Sequence, residues 1–308
     1  MSGIGVVLNP FSKSYKKNPQ KLDQMAFIIG DKASCKPTTD LADLARAAEE
    51  FKSRDIDILA ISGGDGTIHC TLTTFLRIYG EKPLPKISLL KGGTLNTIAG
   101  SLGVKGSTQN LMSDLLVKYH EDIPFETRKL RLMKVNDDYG CIFGLGVIYN
   151  FMEAYYAHPK VNAWVAAKTL FMAIGSAAMR GPLARKMFER FDAEVTVDGK
   201  CWEPANYAAL FAGSIRQLGL NFNVFYHMLT QNDTFHVYGI STDAGGILPY
   251  VWRMRSGQPT GSSSIIDSQA TSMEIILQKP LRYTIDGDML AAKDKFIIVA
   301  GPELTVVF

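Results

Sequence analysis

The 308-residue chain is 46% hydrophobic and carries 33 Lys and Arg against 30 Asp and Glu, a net charge of +3. A chain of this length buries a sizeable core and has a prior of about two domains; its composition argues against disorder, and its small positive excess against strong generic nucleic-acid binding, while suiting an anionic ligand or a membrane surface. Four cysteines, Cys35, Cys70, Cys141 and Cys201, stand far apart with no Cys-x-x-Cys pair, so neither a disulfide framework nor a zinc site is indicated, and a reduced, cytosolic setting is expected.

The opening "MSGIGVVLNP" lacks the basic n-region and long apolar h-region of a signal peptide, and reads as a buried strand ending at Asn9-Pro10. "TDLADLARAAEEFKSR" has the stripe of an amphipathic helix, with Thr39 or Asp40 as N-cap. "IDILAIS" is a continuous apolar strand of the parallel-sheet kind, and a helix follows from about Ile68 into Tyr79. "KISLL" is the next strand, "GGTLNTIAGSLG" a second loop-to-helix unit, and "STQNLMSDLLVKY" a further helix. Such alternation predicts a doubly wound parallel sheet.

Near Ile123 the rhythm changes. Residues 127–150 read as strands around an Asn-Asp-Asp turn, and 162–180 as a helix. The apolar run from Ala163 to Met179 is interrupted by Lys168 and falls short of the ~20 residues a membrane span needs, so it reads as a core or interfacial helix. Core packing is the expectation for it and for "GLGVIYNFMEAYY", with a lipid-accommodating surface as the alternative. The remaining short β-rich segments predict an antiparallel, sandwich-like domain. "RSGQPTGSSS" reads as a mobile loop or an ordered surface turn. The predicted division is an α/β domain over 1–125, with about 298–308 as a candidate to complete it, and a β-rich domain over 126–297.

Two glycine loops carry the chemistry. Gly63-Gly64-Asp65-Gly66-Thr67 and Gly92-Gly93-Thr94-Leu95-Asn96 each end a buried strand and open a helix. Such loops offer free backbone N–H groups and the positive end of a helix dipole at the carboxyl edge of a sheet, where open α/β folds bind ligands. The spacing is neither Walker A nor GxGxxG. Asp65 repels a phosphate unless it works through Mg²⁺ or orders the loop by hydrogen bonds. Against the functional reading stand plain alternatives: a turn capped by Asp65, helix caps at Thr94 and Asn96, and a solvated Lys91.

The ordered set of Asn9-Pro10, "GGDGT", "GTLN" and "YTIDGD" resembles the catalytic domain shared by diacylglycerol kinases, sphingosine kinases and bacterial soluble lipid kinases, and "KFIIVAGPELTVVF" resembles its closing strands. "GGDGT" alone is shared with NAD kinases. The resemblance implies an N-terminal ATP site, a C-terminal lipid-binding β-domain with the site in the interdomain cleft, and transfer of the γ-phosphoryl group to a lipid hydroxyl with Mg²⁺. By motif match Asn9, Ser12, Gly64, Asp65, Gly66, Thr67, Gly93, Thr94 and Asn96 would line the ATP site, Asp286 would be the general base beside a catalytic Asp65, and Asp65 and Asp288 would be metal ligands. The bland reading of "IDGD" is a type I′ hairpin turn, which "VDGK" at Val197–Lys200 shares; position near the chain end favours Asp286 over Asp198 as the functional one.

Three departures stand out. Ile68-His69-Cys70 replaces the hydrophobic-Asn-Glu of bacterial members, Thr97 replaces an Asp, and "QNDTFHV" replaces an Asp-Asp-Gly element linked to a structural metal, putting metal binding by Asn232-Asp233 in doubt. His69 itself reads as a helix-surface histidine, and Lys13–Lys17 either as phosphate contacts or as a solvated loop. The expected partner is a lipid at the membrane surface, with peripheral association of a cytoplasmic protein and neither nucleic acid nor a transmembrane segment. A homodimer through C-terminal strand edges is left open, with no feature of the sequence supporting it. NAD kinase and a catalytically silent nucleotide- or lipid-binding module are the competing functions.

Overall fold

A computed structural model of the chain describes residues 3–159, 161–179, 181–229 and 233–308. The chain divides into two compact units, Met1–Leu130 with Glu303–Phe308, and Arg131–Pro302.

In chain order the first unit contains β1 (Ile4–Leu8), α1 (Lys13–Lys17), α2 (Gln20–Ile29), β2 (Ser34–Pro37), α3 (Leu41–Ser53), β3 (Ile58–Gly63), α4 (Asp65–Tyr79), β4 (Lys86–Lys91), α5 (Thr97–Ser101) and α6 (Thr108–His120). All residues of β1 and β3 are buried, which is why their sequences run apolar without alternation. β1 lies between β2 and β3, β3 pairs with β4, and Val306 near the chain end sits opposite Ile87 of β4, all in parallel. Along β1, Ile4, Val6 and Leu8 join one core with Met25 of α2 and Met112, Leu115 and Leu116 of α6. Gly5 points the other way, where a Cβ would come within 2.7 Å of the Phe51 ring of α3. Helices therefore cover both faces, as the strand-helix alternation predicts.

The second unit contains β5 (Thr127–Val135, entered from the first), β6 (Asp138–Gly140), β7 (Ile142–Gly146), α7 (Val147–Tyr156), α8 (Ala163–Ala178), α9 (Pro182–Met187), β8 (Phe191–Val197), β9 (Lys200–Cys201), β10 (Asn206–Tyr207), β11 (Ala209–Gly213), β12 (Phe235–Ile240), α10 (Ala244–Ile247), α11 (Val251–Ser256), β13 (Ile265–Ala270), β14 (Ser272–Ile285) and β15 (Asp288–Val307), whose end returns to the first unit. Its strands pair antiparallel, β13-β12-β11-β7-β14-β15. β14 holds the layers together. Its first half, Met273–Leu277, pairs with β8, its far end, Thr284 and Ile285, with β7, and the register shifts between Ile276 and Tyr283, where Pro280 lacks an N–H. Side chains from β5, β7, β8, β11, β12, β14 and β15 meet in one core around Phe143, Tyr283 and Phe296, so the unit is sandwich-like.

Three local expectations change, and for one loop the structure selects between two. Residues 147–150, read as the end of a strand region, instead begin α7: Gly146, at φ 63, ends β7, and the apolar run beyond it carries no period that separates strand from helix. Lys13–Lys17 is a helical turn pinned by buried Tyr15, whose hydroxyl lies 2.6 Å from Ser62 Oγ. "RSGQPTGSSS" is ordered: Gly257 closes α11 in the left-handed region, and Arg253 Nη1 donates to the carbonyl of buried Thr260 at 3.1 Å. His69 is not on a helix surface but buried, because α4 packs against both β3 and α3.

A polar cluster lies in the second unit. His236 on β12 is fully buried, with Nε2 3.0 Å from Asp267 Oδ2, which also accepts from Tyr226 Oη. Burial pushes the imidazole below its ordinary value despite the carboxylate beside it. Asp267, in spite of its own burial, is held low by the hydrogen bonds from His236 and Tyr226. A depressed histidine means that the unfolded chain takes up the proton first, so stability is full above the ordinary value of about 6.5 and falls as pH drops below it. Asp267 adds a second loss at more acid pH. Urea unfolding at stepped pH is expected to show the midpoint dropping below about pH 6.5, with His236→Gln flattening that segment of the curve.

Candidate functional site

The first glycine loop joins β3 directly to α4, with Gly64 as N-cap in extended backbone. A Cβ on Gly63 would fall 2.4 Å from the Thr67 side chain, so the turn folds onto its own helix. The second loop leaves β4, the neighbour of β3, and the two turns meet backbone to backbone. Gly92 N donates to Gly63 O at 2.8 Å, and a Cβ on Gly93 would lie 2.4 Å from Gly64 Cα. Here glycine is required by close approach of two chains.

Asp65 ties the turns together. Its Oδ2 accepts from Thr97 N at 2.9 Å and its Oδ1 from Ile98 N at 3.1 Å. The carboxylate of the first loop thus caps α5, the helix opened by the second. Asn96 does not cap that helix as its type suggests. It sits in the left-handed region (φ 49, ψ 47), and its Oδ1 turns back to accept Gly93 N at 2.9 Å. From the end of β1, Asn9 Nδ2 donates to Thr67 Oγ1 at 2.9 Å, while Asn9 Oδ1 accepts Phe11 N at 2.9 Å. Asn9, Ser12, Gly64, Asp65, Gly66, Thr67, Gly93, Thr94 and Asn96 therefore all stand on loops or first helical turns beyond β1, β3 and β4.

Ser12 Oγ is buried and has no hydrogen-bond partner among the described residues. Next to it, burial and then the charge of Lys17 push the Lys13 amine below its ordinary value. The early amides of α4 have no intrahelical acceptor. Glycine backbone, free helix-start amides, an orphaned hydroxyl and nearby lysines are the groups that receive an anionic, phosphate-like ligand.

In the second unit, Asp286 and Gly287 form the two central residues of the β14–β15 hairpin at φ 49 and 87, the type I′ turn that "IDGD" spells. The Asp286 side chain points inward and is 7% exposed. Its Oδ1 accepts Ile142 N at 2.8 Å and Cys141 N at 3.0 Å, and Oδ2 shares the latter at 3.0 Å. Gly140 permits this approach, since a Cβ there would lie 2.9 Å from Oδ2. Asp288, opposite Ile285 in the same hairpin, is half-buried. Asp198 and Gly199 make an equivalent turn at φ 46 and 76, but Asp198 is exposed and its carboxylate accepts Thr271 N at 3.0 Å and Ser272 N at 2.8 Å. Sequence reasoning did not single out Gly140 or the Cys141 and Ile142 amides. A glycine beside a cysteine in a β-run carries no motif, and only the folded strand brings them to Asp286. Asn232 lies outside the described residues; Asp233 is exposed and paired with the Arg131 guanidinium.

Residues 3–124 match the family described as Diacylglycerol kinase catalytic domain. The Bacillus subtilis protein named Diacylglycerol kinase is 30% identical over 109 residues, 34% of each chain. A Streptococcus pneumoniae relative is 28% identical over 144 residues, 46% of each chain. The chain thus spans about half or less of the curated relatives it matches. A solved structure titled as a diacylglycerol kinase from Bacillus anthracis str. Sterne covers 100% of this chain and 97% of its own at TM-score 0.69, with 16% identity, a likeness of fold. The two-part α/β and strand-rich architecture is that of these structures. The resemblance read from the motifs is borne out over residues 3–124, which match the diacylglycerol kinase catalytic domain.

Asp65→Asn leaves one acceptor for two amides, and is expected to cost about 0.5–2 kcal/mol, the range of a lost helix cap. Urea unfolding measures that loss, and faster hydrogen exchange at Thr97 and Ile98 locates it.

Proposed function

We propose that the chain is an ATP-dependent lipid kinase that transfers the γ-phosphoryl group to a hydroxyl of a diacylglycerol or sphingoid-type lipid at a membrane surface. In this reading the first unit is the nucleotide-binding half and the second the lipid-substrate half. The observation that carries it is the interlock at the carboxyl ends of β3 and β4. There two glycine turns are held against each other by Asp65 and Asn96, beside the unpartnered Ser12 hydroxyl. A loop pair so fixed is preorganised for phosphate, and phosphoryl transfer depends mostly on positioning and electrostatic stabilisation.

Gly64, Gly66 and Gly93 let the backbone approach the phosphates; Asn9, Ser12, Thr67, Thr94 and Asn96 supply or orient polar groups around them. Asp286 is the general base, its carboxylate aimed by the Cys141 and Ile142 amides so that it can accept the proton of the attacking hydroxyl. In the first unit, Asp65 is the residue that would meet Mg²⁺. The ion, when bound, supplies neutralisation of phosphate charge. No helix among the described residues is long and apolar enough to cross a membrane, which is compatible with peripheral association of a cytoplasmic protein.

Incubation of the protein with a total lipid extract and radiolabelled ATP is expected to move label into a chloroform-extractable lipid. Chelation of divalent metal should stop the transfer. Asp286→Asn is expected to lower kcat by about 10²–10⁴ with the KM for ATP little changed, as loss of a general base does. Normal ATP binding without label in any lipid would overturn the reading in favour of a silent binding module. Formation of NADP from NAD would overturn it in favour of NAD kinase.

A further inference from the structure

We propose that the outer face of α8 is a docking surface that lies flat on an anionic lipid bilayer. The helix is turned opposite to the usual order. Its inward side is small, with Val165, Ala166, Thr169, Ala173 and Ala177 buried. Its outward side carries Trp164, Phe171 and Met172, and Met179 follows at its end; these are 69%, 68%, 50% and 80% exposed. At 100° per residue Trp164, Lys168, Phe171 and Met179 fall on one stripe, so large apolar groups form a continuous ridge in water. Single exposed apolar residues are ordinary, but a ridge of this kind marks an interaction site. The expectation that this helix packs its apolar residues into the core therefore holds for the small ones, while Leu170 and Ile174 are half-buried.

Charge selects the occupant. From Ala154 to Phe188 the sequence has no Asp or Glu but five Lys and Arg, the last two being Arg185 and Lys186 in the final turn of α9, which packs on α8. α8 also touches the turn Leu248–Tyr250 leading into α11, where Trp252 is 72% exposed and Arg255 lies over its ring. Lys168, the one charge on the ridge, holds its amine 5.5 Å from the Trp164 ring, an arrangement that lets the stem lie among apolar groups while the amine reaches headgroups. A second copy of the chain would set these cations against their like, whereas an anionic leaflet neutralises them. Sixteen residues are too few to span, so the helix lies in the interfacial plane with its tryptophan at headgroup depth. This deepens the lipid-kinase reading, on which its purpose rests, by assigning the face that meets the substrate's membrane.

The test is co-sedimentation of the full chain, without nucleotide, with phosphatidylcholine vesicles containing about one-third phosphatidylglycerol. The protein should pellet with these vesicles, far less with phosphatidylcholine alone, and Trp164→Ser/Phe171→Ser should weaken partitioning at least about tenfold. Circular dichroism and melting of that variant should match the parent. Its activity on a short-chain lipid below its micelle concentration should be unchanged. A parent chain that stays in the supernatant overturns the proposal. So does a double variant that pellets like the parent, or sedimentation velocity showing a dimer in buffer that the variant dissolves. Vesicle binding by a protein that phosphorylates no lipid in any assay would sink the kinase reading and leave the docking surface standing.

Discussion

Both carboxylate oxygens of Asp65 are committed to the amides of Thr97 and Ile98, and this double bond between two loops is the constraint around which the first unit's loop edge is organised. It explains why the glycines must be glycines. With α5 drawn toward α4, Gly64 and Gly93 meet within ordinary van der Waals reach of bare backbone, and any side chain would force the loops apart. It also explains why Asn96 adopts the left-handed region. Its own helix start is already capped from outside, and its amide is free to close the Gly93 turn. An aspartate set among glycines at a helix start thus has a structural task of its own.

The two Asp-Gly hairpins show how one local motif acquires different surroundings. At Asp198 and at Asp286 the backbone satisfies the same type I′ turn, and in both the carboxylate accepts backbone amides from a neighbouring strand. What separates them is the neighbour. Gly140 leaves room for Asp286 to turn inward, while Asp198 remains at the surface against Thr271 and Ser272. Chemistry that needs a shielded, oriented base has one candidate of the two.

Much of this was legible in the sequence because it is local. Parallel strands announce themselves by uninterrupted apolar runs, and the glycine turns by their spacing. The Asp40 and Ser107 caps are of the expected residue types, each accepting the amide three residues on. What escaped depends on partners distant in the chain. The bonds of Asp65 span 32 and 33 residues, and those of Asp286 span 144 and 145. His69 looked like a surface residue because its helix is covered on more than one side, which no single-helix pattern records. α8 is the clearest case. With apolar residues all round, its periodicity says only that it is buried; residue size, small inward and large outward, decides which side is.

One consequence follows from the route of β15. Its last residues leave the second unit and close the parallel sheet of the first: Val306 pairs beside Ile87, Val307 enters the core with Met112 and Leu116, and the Phe308 carbonyl accepts the Lys118 amine at 2.8 Å. On a ribosome the β4 edge therefore waits, unpaired, for more than half the chain to be made. The sheet of the first unit is thus closed only after the whole of the second unit has been made.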